Sequence, residues 1–341
     1  MPRSSVSPVP SSAPPLNALL RRYAAGTPLA CEPVDQGLLN RGYRLATTEG
    51  RYFLKHHFDP ETADPAAIAR QHRATQRLAD LGVPVAPPLA GTDGRTVAVV
   101  GGHAYALHPW IDGRHRSGAQ LTPEQCRRLG ALLGVVHASL ERVMPPRPSG
   151  ERARSADPAD TFALIDDLLA RIRRHRPADA FDELARHRLL ERRTLLERHR
   201  DRRPPRGGPA GWVHGDFHPF NVLYRGEAPA AIVDWDRLGV QPRAEEAVRA
   251  AVIFFVRPVG TLDLTRVRAY ARAYRRSAGA TASELSAAVH RVWWERLNDF
   301  WILRWHYERG DGRADPQFPA ASALAVWWTR EYDAVCEAFV D

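Results

Sequence analysis

Three side chains with oxygen donors lie close together in the second half of the chain. Asp216 and Asn221 belong to the segment V-H-G-D-F-H-P-F-N-V-L-Y (213–224), and Asp234 ends the apolar run of A-I-V-D-W-D (231–236). Carboxylate and amide oxygens are the ligands that Mg²⁺ prefers. A carboxylate can also accept the proton of a hydroxyl that attacks a phosphate. The set therefore indicates a Mg²⁺–ATP site for phosphoryl transfer to an alcohol, although each residue alone would more often be a turn or a helix cap.

The two motifs H-G-D-F-H-P-F-N and I-V-D-W-D resemble the catalytic and metal-binding motifs of the aminoglycoside phosphotransferase/choline kinase superfamily. This protein-kinase-like superfamily includes the type II homoserine kinases, and the resemblance covers roughly residues 28–260. It implies that Asp216 is the catalytic base, that Asn221 binds a metal ion, and that Asp234 is the counterpart of the kinase DFG aspartate. It also implies that His214 and His218 support the catalytic loop, with His218 a candidate for the acceptor site as well.

The chain has 48 basic residues, and Lys55 is the one lysine among them. Lys55 follows the alternating segment Tyr52-Phe53-Leu54, which predicts a strand. An ammonium is compact whereas a guanidinium is a wide planar fork, so a lysine kept among arginines suggests a position where arginine does not fit. In protein-kinase-like folds, the lysine of the third strand contacts the α- and β-phosphates of ATP. We expect this role for Lys55.

Further nucleotide contacts are implied by the resemblance alone. Gly37 and Asn40 match the turn that covers the nucleotide, although G-L-L-N-R-G-Y (37–43) is no GxGxxG motif. Gln71 occupies the place of the glutamate that pairs with the strand lysine. Lys55 is therefore held either by an uncharged hydrogen bond from its ammonium to Gln71 or by a carboxylate elsewhere, such as Glu49 or Glu61. The segment A-L-H-P-W-I-D-G (106–113) matches the adenine-binding hinge, with candidates Leu107, His108 and Trp110. Pro109 itself cannot donate a hydrogen bond.

The acceptor-binding residues are candidates of two kinds. Trp235 and Asp236 directly follow the predicted metal ligand, whereas Glu295 and Asp299 lie in the aromatic segment V-W-W-E-R-L-N-D-F-W-I-L-R-W-H-Y (292–307). Helical spacing would place Trp294, Leu297, Trp301 and Trp305 on one face. That face is either part of a packed helical core or one wall of an acceptor pocket.

The predicted elements form an α+β protein of two lobes with a protein-kinase-like fold. Residues 1–15 are Ser/Pro-rich and predict a disordered tail. Residues 16–108 predict a nucleotide-binding lobe with a small antiparallel sheet, in which two hairpins flank a helix at 65–81. Residues 109–341 predict a larger, mainly helical lobe for catalysis and acceptor binding. Its expected helices are 121–140, 161–199 with a break at Pro177, and the region from 243 onward with breaks at Pro258, Gly279 and Gly310.

Composition narrows the class of protein. The three cysteines, Cys31, Cys126 and Cys336, form no CxxC pair, which argues against a zinc site or disulfide framework and favours a cytoplasmic protein. The net charge is +9, but the arginines are spread along the chain, so we predict no nucleic-acid partner. No apolar run is long enough for a membrane span, and we predict no membrane partner.

The motifs also bear on two alternatives to an enzyme that acts on a small molecule. A protein kinase would carry D-F-G and A-P-E, but here Trp235-Asp236 follows Asp234 and no A-P-E occurs. A non-catalytic relative, such as a spore-coat-like protein or pseudokinase, is favoured only by Gln71. The acceptor stays open among aminoglycosides, amino alcohols, homoserine-like amino acids and sugars. The sequence does not determine the oligomeric state.

Overall fold

The computed structural model describes residues 13–34, 40–58, 63–146, 154–205, 207 and 210–341. Two compact units make up the chain. The first contains Met1–Gln76 and Ala86–Trp110, and the second contains Arg77–Val85 and Ile111–Asp341.

An antiparallel five-stranded sheet in the order β1-β2-β3-β5-β4 forms the first unit. Its elements are α1 (Leu16–Tyr23), β1 (Pro28–Val34), β2 (Arg41–Thr47), β3 (Gly50–His57), most of α2 (Pro65–Asp80), β4 (Ala98–Val100) and β5 (His103–Pro109). Residues 77–80 of α2 belong to the second unit. Alternation along β3 turns Leu54 into the core that α1 also lines. The neighbouring Lys55 therefore emerges from the opposite face of the sheet, where it is only 9% exposed.

Helices dominate the second unit, and two short antiparallel strand pairs interrupt them. The helices begin with α3 (Pro123–Val143), α4 (Pro158–Arg174) and α5 (Ala180–His199). Next come the strands β6 (Ala210–Val213), β7 (Val222–Arg225), β8 (Ala228–Ile232) and β9 (Gly239–Pro242). The remaining helices are α6 (Arg243–Phe255), α7 (Leu264–Ala278), α8 (Ala282–Asn298), α9 (Trp301–Arg304), α10 (Phe318–Arg330) and α11 (Tyr332–Val340).

Capping residues set the beginnings of the long helices. At the start of α3, the Thr122 hydroxyl accepts a hydrogen bond from the backbone N–H of Gln125, and the side-chain oxygen of Gln125 accepts one from the backbone N–H of Thr122. Thr281 and Glu284 form the same reciprocal capping box at α8. Each box satisfies backbone N–H groups that a helix start otherwise leaves without partners. None of the helices in the described ranges is both long and apolar enough to cross a membrane.

Two short antiparallel strand pairs position the motif residues of the second unit. β7 pairs with β8, and Val222 lies opposite Ile232. β6 pairs with β9, and Val213 lies opposite Gly239. The predicted catalytic loop therefore runs from the end of β6 to the start of β7. The segment with Asp234 runs from the end of β8 to the start of β9.

The segment 292–307 does not continue as one helix. α8 ends at Asn298, Phe300 has φ −130° and ψ 28°, and α9 begins at Trp301. The side chain of Asp299 accepts a hydrogen bond from the backbone N–H of Trp301 and so caps the new helix. The expectation of one continuous face from Trp294 to Trp305 is therefore wrong. Trp294 and Leu297 are instead buried in the core of the unit.

Candidate active site

The loop with Asp216 is tied to the strand before Asp234 by His214. The N–H of Asp216 donates to Nδ1 of His214 (3.2 Å), and Nε2 of the same ring lies 3.0 Å from the carbonyl oxygen of Val233. Nδ1 is an acceptor, so Nε2 carries the proton and donates it to Val233. Burial lowers the pKa of His214, which keeps the ring in this neutral form. His214 therefore links the backbone of Asp216 to that of Val233, directly before Asp234. Its role in the catalytic loop stays a prediction.

Glu246, on α6, holds the backbone at the start of the loop with Asp216. Its carboxylate accepts hydrogen bonds from the backbone N–H of His214 (3.2 Å) and from that of Gly215. The side chain is buried, and burial acts to raise its pKa. The hydrogen bond and charge of His137, together with the hydrogen bond from the backbone of Gly215, outweigh burial and hold the pKa of Glu246 below its usual value. The carboxylate thus stays ionised inside the protein.

A second layer of buried side chains orients Glu246. Nε2 of His137, on α3, lies 2.7 Å from Oε2 of Glu246, and its Nδ1 lies 3.1 Å from the hydroxyl of Tyr274 on α7. α3, α6 and α7 therefore each contribute one side chain to the network that supports the loop with Asp216. Glu246 and His137 were not predicted from the sequence. His137 follows Leu133 by four residues and precedes Leu140 by three, so helical spacing could have placed it on the apolar face of α3.

Gly215 lets the chain turn sharply before Asp216. Its φ of +87° is in the left-handed region, and a Cβ there would collide with the backbone oxygen of Arg237. A side chain at this position would therefore be excluded by both strain and space.

The carboxylate of Asp216 is about one-third exposed, with two cationic or potentially cationic neighbours. Oδ2 lies 3.5 Å from Nε2 of His218 and 3.9 Å from Nε of Arg237. Burial acts to raise the pKa of Asp216, but the hydrogen bond and charge of His218, together with Arg237, hold it below its usual range. An ionised carboxylate in this position can accept a proton from an acceptor hydroxyl.

Asn221 is held by the loop through its amide nitrogen. Nδ2 donates to the backbone oxygen of Asp216 (2.8 Å) and lies 3.2 Å from Nε2 of His218. The imidazole of His218 accepts a hydrogen bond from the N–H of Phe220 through Nδ1. Because the nitrogen of Asn221 is committed to the loop, its amide oxygen is the atom that could bind a cation.

Asp234 lies at the same end of the β7–β8 hairpin as Asn221. The N–H of Val233 donates to the backbone oxygen of Asn221 (2.9 Å), which extends the pairing of Val222 with Ile232 by one step. Asp234 itself has φ +60° and an exposed side chain. Residues other than glycine seldom adopt this conformation, and those that do cluster at functional sites. The arrangement suits a pair of hard oxygen ligands for a divalent cation.

The predicted nucleotide contacts of the first unit have separate surroundings. Lys55 lies opposite Gly42 of β2 and Ala106 of β5. On α2, burial, His108 and then Lys55 lower the pKa of His72 to about 3, so this ring is neutral beside the ammonium. Gln71 directly precedes His72 and is half-buried. Its pairing with Lys55 stays a prediction.

Glu49 is a wrong candidate for the partner of Lys55. It lies in the β2–β3 turn, about 20 Å along the strand from Lys55 at roughly 3.3 Å per residue. Glu61 and Gly37 lie outside the described residues. Asn40 accepts a hydrogen bond from the N–H of Phe58 (3.0 Å), which secures the end of β3. Its contact with a nucleotide stays a prediction.

Part of the backbone in the predicted hinge is already bonded within the first unit. The N–H of Trp110 donates to the oxygen of Arg51 (3.0 Å), and the oxygen of Leu107 accepts from the N–H of Leu89 (2.7 Å). Trp110 is therefore not a free adenine donor, which corrects that expectation. The imidazole of His108 lies 2.9 Å from the oxygen of Ala86. Adenine binding by Leu107 and His108 stays a prediction.

The acceptor candidates fall into different environments. The Trp235 indole is buried and donates a hydrogen bond to the oxygen of Ile232 (3.1 Å). Its ring centre lies 4.5 Å from that of His214, with the two ring planes tilted by 58°. It packs against the catalytic loop, whereas Asp236 is half-buried beside it. Glu295 forms an ion pair with Arg249 of α6 (2.8 Å). Asp299 caps α9. Contact of these four residues with an acceptor stays a prediction.

The five-stranded antiparallel sheet, the mainly helical second unit and the Asp216 loop define a protein-kinase-like phosphotransferase. The model of the "phosphotransferase enzyme family" matches residues 30–280, and the chain belongs to this family. The superfamily predicted from the two motifs is thereby confirmed. So are the α+β protein-kinase-like fold and the class, an enzyme that transfers phosphoryl groups to small molecules.

Known proteins resemble the chain over most of its length. A homoserine kinase of Methylobacillus flagellatus is 27% identical over 294 residues, which covers 83% of this chain and 84% of the relative. A spectinomycin phosphotransferase solved with ADP and spectinomycin superimposes with a TM-score of 0.64 at 15% identity, over 95% of this chain and 97% of the other. An amicoumacin kinase solved with AMP-PNP and Ca²⁺ has a TM-score of 0.60 at 17% identity, with 92% of each chain covered. These structural likenesses establish the shared fold.

Proposed function

We propose that the chain transfers the γ-phosphoryl group of Mg²⁺–ATP to the hydroxyl of a small amino-bearing acceptor, with a homoserine-like amino acid as the first candidate. The arrangement of Asp216, Asn221 and Asp234 carries this proposal. Asp216 would accept the proton of the acceptor hydroxyl as that oxygen attacks phosphorus and the bond to the β-phosphate oxygen breaks. His214 and Glu246 would hold the loop in place throughout.

A divalent cation would be held by the amide oxygen of Asn221 and the carboxylate of Asp234. The fit rests on two features of this site: Nδ2 of Asn221 is used by the loop, and Asp234 adopts a left-handed conformation beside it. Both donors are hard oxygens, which favours Mg²⁺ among common cellular cations. A bound cation would supply charge neutralisation for the phosphates.

Lys55 would contact the phosphates from the first unit. Its ammonium lies near a neutral His72, and the sheet backbone fixes the position of its Cα. A planar guanidinium at this place would present a wider group to the same phosphates. K55R keeps the charge but misplaces the donor, and we therefore expect it to lower kcat/KM by about 10²-fold, the loss typical of one missing well-placed hydrogen-bond donor. Steady-state kinetics of K55R beside a K55M variant would show whether charge alone suffices.

The acceptor class is drawn from the relatives. The homoserine kinase of Methylobacillus flagellatus is similar over most of both chains, and amino-bearing acceptors also occur in the names of the structural neighbours. Such an acceptor presents a hydroxyl to Asp216 and an ammonium to nearby acidic groups. Asp236 is the acidic candidate nearest in sequence to the metal ligands.

ADP release with a panel of acceptors tests the function. The panel contains homoserine, 3-aminopropanol, an aminoglycoside, choline and a hexose, each with ATP and MgCl₂. We expect release to depend on homoserine or another amino-bearing acceptor. D216N should lower kcat by about 10²- to 10⁴-fold because it removes the proton acceptor and keeps the side-chain shape. ATP binding that survives in D216N, with no turnover of any acceptor by the unmodified chain, would favour the non-catalytic alternative.

A further inference from the structure

A small cavity in the second unit is lined by three arginines and a single acidic side chain. Its volume is about 30 Å³, and α5, α8, α9 and α10 surround it. The charged side chains at its wall are Arg188 and Arg192 of α5, Arg296 of α8, and Asp299. Apolar groups such as Phe300 and Phe318 complete the lining. A cavity of this size is roughly twice what one water molecule needs.

Arg192 is the most deeply placed of these cations, with 6% of its surface exposed. Its guanidinium donates through one terminal nitrogen to the backbone oxygen of Asp299 (2.6 Å) and lies 4.7 Å from the ring centre of Phe300. Its Nε is buried and has no hydrogen-bond partner within the described ranges. Burial lowers the pKa of Arg192 to about 10; the charge of Asp299 opposes this shift, whereas the charges of Arg296 and Arg188 add to it. The positive charge here is therefore only partly compensated.

The other two arginines differ in how they are paired. Arg188 forms an ion pair with Glu191 (2.6 Å), which neutralises its charge. For Arg296, the described part of the chain provides no carboxylate within ion-pair distance, and its buried Nε lacks a hydrogen-bond partner there. Leaving buried donors of a charged group without acceptors is costly. Arg192 and Arg296 together thus bring more donors to the cavity than its wall satisfies.

Asp299 does not resolve this imbalance. One carboxylate oxygen accepts the N–H of Trp301, and its backbone oxygen accepts the bond from Arg192. Burial raises the pKa of Asp299, although the charges of Arg296 and Arg192 oppose the shift. Against the three guanidinium groups at the cavity wall stand the carboxylate of Asp299 and that of Glu191, the partner of Arg188. The cavity therefore has an excess of positive charge and a shortage of acceptor oxygens.

We propose that this cavity binds the oxyanion group of a small ligand, a carboxylate or a phosphate, through Arg192 and Arg296. Guanidinium groups form paired hydrogen bonds with two oxygens of such a group. The ligand supplies the acceptors that the wall lacks. Its source is either a separate metabolite or the carboxylate of the phosphoryl acceptor. The second source rests on the proposed function.

Anion-dependent stability tests the site without any turnover. Melting temperatures would be measured in sodium phosphate, sulfate and acetate against chloride at equal ionic strength, with no nucleotide present. We expect a saturable rise of about 2–4 °C with at least one oxyanion. R296Q should abolish the rise. R304Q is the matched control, because Arg304 is an exposed partner of Glu308 outside the cavity wall, and it should keep the rise.

The folding of the variants gives a second readout. Without an oxyanion, R296Q should melt no lower than the unmodified chain, because it removes a charge with no acceptor. R296K keeps the positive charge but lacks the planar guanidinium that binds two oxygens at once. It should therefore fold and show a smaller rise in melting temperature with the oxyanion. If R296Q does not fold, the anion response of R296K decides. An equal rise in all variants, or no rise with any oxyanion, would overturn the proposal.

Kinetics distinguish the two sources of the oxyanion. If it belongs to the acceptor, R296Q raises KM for homoserine by about tenfold or more and leaves KM for 3-aminopropanol, which has no carboxylate, unchanged. If it belongs to a separate ligand, R296Q abolishes the anion-dependent rise and changes neither KM. Both results support the site. Because the melting experiment needs no catalysis, a failed kinase assay would count against the proposed function and not against the cavity.

Discussion

The catalytic loop and the α8–α9 segment both carry acidic residues, but the fold uses them differently. In the loop, Glu246, His214 and Asn221 satisfy the backbone and leave the carboxylate of Asp216 partly exposed. In the α8–α9 segment, Glu295 is paired with Arg249 and Asp299 caps a helix. The comparison indicates that an acidic side chain is available for chemistry where other groups meet the structural needs of its own segment.

After D216N, the largest expected effect concerns Asp234. D234N should lower kcat by about 10²- to 10³-fold, because a cation at this position is worth several kcal/mol and each 1.36 kcal/mol is a factor of ten. The Mg²⁺ concentration for half-maximal rate should rise as well. D236N is the matched control beside it. A change in acceptor KM with an unaltered Mg²⁺ requirement is expected for D236N, and equal Mg²⁺ curves for both variants would contradict the metal assignment.

Glu246 tests whether the loop depends on its buried anchor. E246Q should lower the free energy of unfolding by about 3 kcal/mol, because it breaks a buried charged network and leaves donors poorly paired. The pKa of Glu246 is held low in the folded state, so its contribution is present at neutral pH and is lost as pH falls through that pKa. Urea unfolding at neutral and acidic pH measures both effects.

The control for E246Q is its own pH dependence. The difference in unfolding free energy between E246Q and the unmodified chain should shrink as the pH is lowered. A difference that stays constant with pH would mean that the charge of Glu246 does not support the loop.

His218 should change the pH dependence of the reaction more than its maximal rate. The pKa of Asp216 is lowered in part by His218, so Asp216 acts as a base above that pKa and loses this ability as pH falls. H218A should raise the pKa and move the acidic limb of the kcat/KM profile to higher pH. A profile from pH 4 to 9 measures the shift. If the acidic limb does not move, His218 does not lower the pKa of the catalytic base.

The smallest effect is expected on α8. E295Q removes one partner of a half-exposed ion pair and should change the free energy of unfolding by less than about 1 kcal/mol. Because Arg249 occupies its carboxylate, we expect the acceptor KM to stay within about twofold of the unmodified value. A KM that rises about tenfold, measured beside R249Q, would return Glu295 to the acceptor site and weaken the contrast between the two regions.

Local patterns predicted much of the architecture. The hairpin of β2 and β3, the helix α2, the break between α4 and α5 and the helical region after Arg243 all follow from alternation, apolar spacing and the positions of glycine and proline. β1 was not predicted as a strand, because apolar and polar residues do not alternate clearly in P-L-A-C-E-P-V. This segment is a strand in the structure because it pairs with β2. The end of α8 at Asn298 was also not predicted. It depends on Asp299, which leaves the helical conformation and accepts a hydrogen bond from the backbone of Trp301 at the start of α9.

The sequence by itself determined which residues are the candidates for the reacting groups, since the chemistry predicted for Asp216, Asn221, Asp234 and Lys55 is one that few other residue types can perform. The tertiary structure alone decided what holds and surrounds them: Glu246 and His137 beneath the loop, and the arginines that converge on one cavity. These residues are far apart along the chain. Their roles depend on how helices pack and exclude water, which no short sequence pattern records.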